Sequence, residues 1–450
     1  MTTEATTDIT ANFIKIGFLA ACVVGLMLLL SVYQKRQNPH PEWVRKLMHL
    51  GAGAIALSLP WMFTDKWPVV VLSLLAAGGM FAVTTLTALR SNLGAVTGGV
   101  FRRTLGEICF PLGAGVIFLL ADGDWLLYTI PILILTFADA AAALVGVFYG
   151  MHHYTTSDGL KTWEGSAAFF LMAFLCTLIP LLLFTEIGRV ELLLIALLMA
   201  ILSMLLDAVA WWGLDNFLIP VLSFLLIHEY IGLSGPVLTV QLAITVVMLV
   251  AVMFWRTRTT LNDSAILVTV IYGYLCWNLA DWRWIVPPLV LLTSYNFLSP
   301  PDVAPSERPY TVQVVLSVGA AGLFWLMLVN ITQIGGLFYP FMLTFAAQLA
   351  MIGSSRHLRA AKELGRMRLL ARSVLLSWIL LFVPYLLLRA APRVLWLDGL
   401  AALLAIAIGV AAFTLSQGED GYRNSPQRWL LQTLSAGLAS VLGFAAIQLI

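Results

Sequence analysis

Apolar runs of roughly 17 to 25 residues, separated by short polar breaks, recur from one end of the chain to the other. A helix of that length crosses a hydrocarbon core of about 30 Å. The runs fall near residues 12–33, 49–63, 68–88, 105–121, 125–147, 165–184, 191–212, 215–232, 235–254, 263–281, 283–299, 311–330, 335–353, 372–388, 394–414 and 429–449. They lack the short alternating segments of a membrane barrel. The pattern therefore predicts an all-α polytopic integral membrane protein of about 16 transmembrane helices.

Composition agrees. Hydrophobic residues make up 60% of the 450-residue chain and charged residues 11%, against roughly 25% charged in an ordinary soluble domain. The opening MTTEATTDIT is acidic, unlike the basic start of a cleaved signal peptide, and predicts a retained first helix with its N-terminus outside. Basic residues then orient the loops. Lys35, Arg36, Arg45, Lys46, Arg90, Arg102, Arg103, Lys161, Arg256, Arg258, Arg308, the group from Arg356 to Arg372, Arg423 and Arg428 fall on one side. Lys15, Lys66, Arg189, Arg283, Arg389 and Arg393 fall on the other. This bias of about three to one marks the first side as cytoplasmic. A net charge of +2 gives no reason to expect nucleic acid as a partner. Cys22, Cys109, Cys176 and Cys276 lie singly in apolar runs and point to neither disulfides nor a metal site.

The unusual polar residues concentrate in the first 220 positions, which predicts a division near residues 233 to 255 into a first membrane domain, 1–232, and a second, 233–450. The Pro-rich LSPPDVAPSERP, residues 298–309, reads as a connector within the second. Asp139 sits inside ILILTFADAAAALVGVFYG, where an ionised carboxylate costs a few kcal/mol and needs partners. Ala143, Gly146 and Gly150 follow at helical spacing, a small-residue stripe that admits another helix or a ligand. The next loop carries His152, His153, Asp158, Lys161 and Glu164 before Gly165 and Ser166 open a helix. A lysine beside a glycine-led helix start suits phosphate, although an isolated lysine can equally anchor a span at the interface. The adjacent histidines do not converge on a metal without further ligands.

Asp207 lies near the end of a span, and Asp215 with Asn216 follows the turn at Gly213. Two acids and an amide suit a magnesium ion, while Asp215 alone suits a helix N-cap. Arg45, Lys46 and His49 gather at a span start in VRKLMHLGAG, and Arg102, Arg103 and Glu107 in FRRTLGEICFPLG. Interface anchoring and first-turn helix chemistry are the plain alternatives for these two groups. All five clusters fall on the face marked by the basic loops. Cations, phosphate-friendly helix ends and buried carboxylates at one surface point to a phosphorylated, magnesium-bound substrate, and the lipid setting points to a greasy second one.

The ordered set RKLMH, RRTLGEICFPLG, FADAAAALVGVFYG, KTWEGSAAFF and LLDAVAWWGLDNFLIP resembles the phytol kinase and dolichol kinase family over about residues 40 to 225. Asp139, Lys161, Gly165, Ser166, Asp215, Asn216 and Pro220 match its motifs; Arg45, Lys46, His49 and Glu107 match less restrictive ones. Ala138 stands where many members have Gly, and Asp207 where many have Glu. The resemblance implies a CTP-dependent polyprenol kinase of multi-pass architecture, here in the plasma membrane of a prokaryote with a cytoplasmic site. Lys161, Gly165, Ser166, Arg45, Lys46, His49 and Asn216 are then expected to bind CTP or ATP. Asp139, Asp207 and Asp215 are expected to hold Mg²⁺, and one of them to accept the alcohol proton. The rival readings are a cytidylyltransferase making a CDP-lipid, a diacylglycerol kinase, a transporter and a structural membrane subunit. In the second half, TLNDSAILVTVIYGYLCWNLADWRWIVPPLVLLTSYNFLS and LQTLSAGLASVLG are similar to the membrane family that contains phytyl phosphate kinase, without the polar positions expected of an active member.

Overall fold

The computed structural model describes residues 2–85, 105–156, 159–209, 212–298, 310–360, 363–388, 395–417 and 424–449. Arg102, Arg103, Asp158 and the Pro-rich connector beyond Leu298 lie outside these residues. The chain divides into two compact units, Met1–Val246 and Val247–Ile450.

In the first unit, α1 (Thr2–Gln37), α2 (Pro41–Leu57), the short α3 (Leu59–Met62), α4 (Lys66–Thr85) and α5 (Gly106–Ala121) precede a broken helix. That helix comprises α6 (Trp125–Leu133), a π-helical turn at Ile134–Ala138 and α7 (Asp139–Tyr149). A hairpin, β1 (His153–Thr156) and β2 (Gly159–Thr162), leads into α8 (Trp163–Phe184), α9 (Arg189–Val209) and α10 (Asp215–Tyr230). α11 (Gly235–Trp255) spans the division between the units. The second unit continues with α12 (Asp263–Leu279), α13 (Val286–Leu298), α14 (Val312–Thr332), α15 (Phe338–Ala360), α16 (Glu363–Leu388), α17 (Leu395–Ser416) and α18 (Pro426–Leu449).

The apolar runs fall on helices, with 49–63 divided between the end of α2 and α3 and 125–147 broken at the π turn, and among the described residues 11 helices are long and apolar enough to cross a membrane. Their surfaces suit lipid: Leu29, Phe254 and Leu415 are 71%, 82% and 87% exposed. An aqueous solvent would not tolerate such residues in contiguous patches. One short hairpin interrupts the otherwise helical order. Its strands pair antiparallel, with Tyr154 opposite Lys161, so the polar stretch between two spans is ordered by a β-ladder.

The second unit is built around α15. Phe341, Leu343, Phe345, Ala346, Ala347 and Leu349 are buried along it, and α14, α16 and α18 pack against it. Two buried polar pairs there bridge helices, as membrane packing favours. Trp325 Nε1 donates to Ser440 Oγ at 2.9 Å and Gln432 Nε2 to Gln348 Oε1 at 2.7 Å.

Candidate active site

The site begins at the helix break. Pro131 lies inside α6, where it has no N–H for the helix ladder and crowds the preceding turn. The π turn follows within the next few residues and ends at Ala138, immediately before Asp139. Such π-bulges are rare and often mark functional positions.

Asp139 meets α2 there. Lys46 Nζ lies 2.6 Å from Asp139 Oδ2, and the lysine side chain is only 1% exposed. His49, one turn further along α2, places Nε2 at 3.3 Å from the same oxygen and at 2.9 Å from the Leu135 carbonyl in the π turn. Both neighbours can only accept, so Nε2 carries the proton. His49 thus ties the π turn to Asp139. Arg45 forms an ion pair with Glu42 one turn earlier, its Nε 3.1 Å from Glu42 Oε2, and stays within electrostatic range of Asp139 and Asp215.

The hairpin delivers the second cation. Lys161 reaches α9, with Nζ 2.8 Å from Asp207 Oδ2 and 2.5 Å from the Asp207 carbonyl. Burial disfavours the ammonium form, but the Asp207 and Asp215 carboxylates outweigh it and hold the Lys161 pKa above its ordinary value. A lysine whose pKa rises on folding adds stability below its unfolded value, and this is lost only as pH rises through the still higher folded value. Lys161 therefore stays charged throughout the neutral range.

The turn from α9 to α10 brings the third carboxylate back. Trp212 and Gly213 both have positive φ, 57° and 80°. A Cβ on Gly213 would lie 2.3 Å from the Gly106 nitrogen, so both the conformation and the close approach of α5 require glycine there. Leu105 N–H donates to the Trp212 carbonyl at 2.8 Å, fixing the start of α5 against the turn. Asp215 then occupies the first helical position of α10, after an N-cap at Leu214, so it is not the cap that its sequence position suggested. One turn later Pro220 offers no N–H to the Asn216 carbonyl, which faces Gly113 of α5.

These elements converge. Asp139, Asp207 and Asp215 each place a carboxylate oxygen within 4.8 Å of the others. Lysines neutralise the first two, whereas Asp215 Oδ1 and the neighbouring Asn216 Oδ1 are buried without a hydrogen-bond partner among the described residues. Orphaned buried acceptors beside clustered carboxylates fit a hard divalent cation, which prefers oxygen ligands.

Other expected residues take different places. The Gly165 N–H, expected to be open to phosphate, donates to Thr162 Oγ1 at 3.1 Å, the N-cap of α8. A Cβ on Gly165 would stand 2.8 Å from the Ala142 carbonyl, so this glycine serves the packing of α8 against the small-residue stripe of α7. Ser166 Oγ is engaged by the Tyr154 hydroxyl at 2.8 Å. Glu164 takes the His152 backbone N–H and ring Nδ1, the latter at 2.6 Å, and so closes the hairpin base. Glu107 stays in the first turn of α5. Nothing in the sequence named Tyr154 or Thr162; a Thr three residues before Gly165 is the cap signal that would have found Thr162.

The helices and the cluster define a polytopic membrane protein with a buried carboxylate and ammonium centre assembled at a broken helix. No family model matches the sequence, and no solved structure matches it. The chain is 31% identical over 217 residues to a phytol kinase of Synechocystis sp., a match covering 48% of this chain and 90% of that protein. It belongs to the phytol kinase family.

Proposed function

We propose that the chain is a membrane lipid kinase that transfers the terminal phosphoryl group of a nucleoside triphosphate, CTP in preference to ATP, to a long-chain isoprenoid alcohol of the phytol, dolichol or polyprenol type. The observation that carries this reading is the meeting of three carboxylates within 4.8 Å beside two ammonium groups. Its relative is named for phosphorylation of such an alcohol. The orientation that accompanies this reading has sixteen crossings, the N-terminus outside and the centre on the cytoplasmic face of a prokaryotic plasma membrane. The basic loops and the acidic opening support it.

The chemistry asks little covalent work of the protein and much electrostatic work. The alcohol oxygen forms a bond to the terminal phosphorus, its proton passes to a carboxylate, and the bond to the bridging oxygen breaks to release a nucleoside diphosphate. Asp139, Asp207 and Asp215 would hold Mg²⁺, which when bound supplies charge neutralisation at the phosphates. Lys46 and Lys161 present ammonium groups at the same place, where they balance Asp139 and Asp207. Asp215, without a lysine of its own, is the acceptor we assign to the alcohol proton. Asn216 offers a buried amide beside it. Arg45, paired with Glu42 and within electrostatic range of Asp139 and Asp215, is the cation we assign to a nucleotide at the edge.

The test is purified full-length protein in detergent with CTP or ATP and a panel of prenols and diacylglycerol. Label from the γ position in a lipid monophosphate is the expected result. Label from the α position would instead identify a cytidylyltransferase, and no labelled lipid from any acceptor would overturn the enzymatic reading.

In that assay His49 separates positioning from nucleotide binding. His49→Ala should lower kcat by about 10- to 100-fold, as loss of a residue that orients an acid does, with little change in nucleotide KM. His49→Gln keeps a side-chain N–H and should recover part of the rate. A raised KM at unchanged kcat would return His49 to the nucleotide site.

A further inference from the structure

The second unit contains a cavity of about 260 Å³, lined largely by apolar side chains that include Met248, Val270, Val318 and Phe345. This is slightly below the roughly 300–1,000 Å³ typical of small-molecule sites, which leaves room for part of one hydrocarbon chain. Its lining includes the exposed Val247 and Leu289, so the space opens to the outer surface of α11 and α13. Two further features of the wall are polar. The Tyr295 hydroxyl is fixed by the Thr260 N–H at 2.9 Å and the Thr259 hydroxyl at 2.8 Å. Arg428, buried in the first turn of α18, holds its guanidinium 4.4 Å from the Trp429 ring centroid. Both Arg428 and Trp429 line the cavity.

An alkyl chain gains almost no hydrophobic free energy on moving from bilayer to apolar cavity, because lipid tails are equally apolar. Selection must come from the polar end. A guanidinium at a helix N-terminus favours phosphate by charge, by paired N–H donors and by the helix dipole. We propose that this cavity holds one chain of an anionic diacyl phospholipid, with the lipid phosphate against Arg428 and the second chain left in the surrounding bilayer past Val247 and Leu289.

The intact protein in detergent, mixed with phosphatidylglycerol, phosphatidylcholine or phytyl monophosphate, is examined by native mass spectrometry. One phosphatidylglycerol should be retained at least about tenfold better than phosphatidylcholine, and Arg428→Gln should remove about that preference. Arg428→Lys should keep part of it. Ala251→Phe at the exposed rim should weaken retention by filling the space without touching the charge. Equal retention of the two phospholipids, indifference to Arg428→Gln and Ala251→Phe in protein that still elutes as one species, or retention of phytyl monophosphate in place of phosphatidylglycerol would each overturn the proposal. No readout depends on phosphoryl transfer.

Discussion

Asp215→Asn should abolish turnover, with a loss of about 10³-fold or more in kcat, while expression and detergent elution stay those of the parent chain. The chemical half of this expectation follows from the role assigned to Asp215. A positioned proton acceptor contributes roughly 10²- to 10⁴-fold, and a carboxylate that also contacts a metal adds to that. The folding half follows from the charge pattern. Lys46 is satisfied by Asp139 and Lys161 by Asp207, so neutralising Asp215 leaves neither lysine without its carboxylate. It also removes one of three negative charges crowded within 4.8 Å, which relieves repulsion. Asn has nearly the same shape, and the oxygen it keeps in place of Oδ1 was without a hydrogen-bond partner already. Turnover of γ-labelled nucleotide, together with a magnesium titration, reads the result. Recovery of the Asn variant at high magnesium would assign Asp215 to metal binding alone, and a near-normal rate would displace it from the site.

Four of the five charged residues at the centre were legible because charge in an apolar run is expensive and so conspicuous: Asp139, Lys161, Asp207 and Asp215 all stand out in the bare sequence. Lys46 was named too, as a nucleotide-binding candidate, but its pairing with Asp139 was not legible. Lys46 lies 93 residues before Asp139, and at the start of a span it has the same local pattern as any interfacial lysine. The π turn left only Pro131 as a trace, because extra residues in one helical turn do not disturb hydropathy. The hairpin was read as loop since its strands are four residues each and their turn carries no apolar alternation to betray them. Gly165 shows how one residue type serves two chemistries. A glycine at a helix start signals anion binding or close packing equally well, and only the Ala142 carbonyl beside it decides for packing.

Lys46→Ala should be the most destabilising single substitution in the centre. The lysine is buried against Asp139, and removing it leaves a carboxylate in a low-dielectric site with the His49 N–H as its remaining side-chain partner among the described residues. Breaking a buried pair from one side typically costs about 3–5 kcal/mol, whereas removing both charges is often near neutral. The double variant Lys46→Ala, Asp139→Ala should therefore unfold at a higher temperature than Lys46→Ala alone, although neither should turn over. That ordering is the diagnostic. Two independent losses would add, and a coupling of several kcal/mol in the opposite direction arises only if the second substitution removes the charge that the first left unpaired. Thermal unfolding of the purified variants in one detergent measures it. Strict additivity would mean that the pair is solvated enough to contribute little, and that Lys46 is held near Asp139 by the packing of α2.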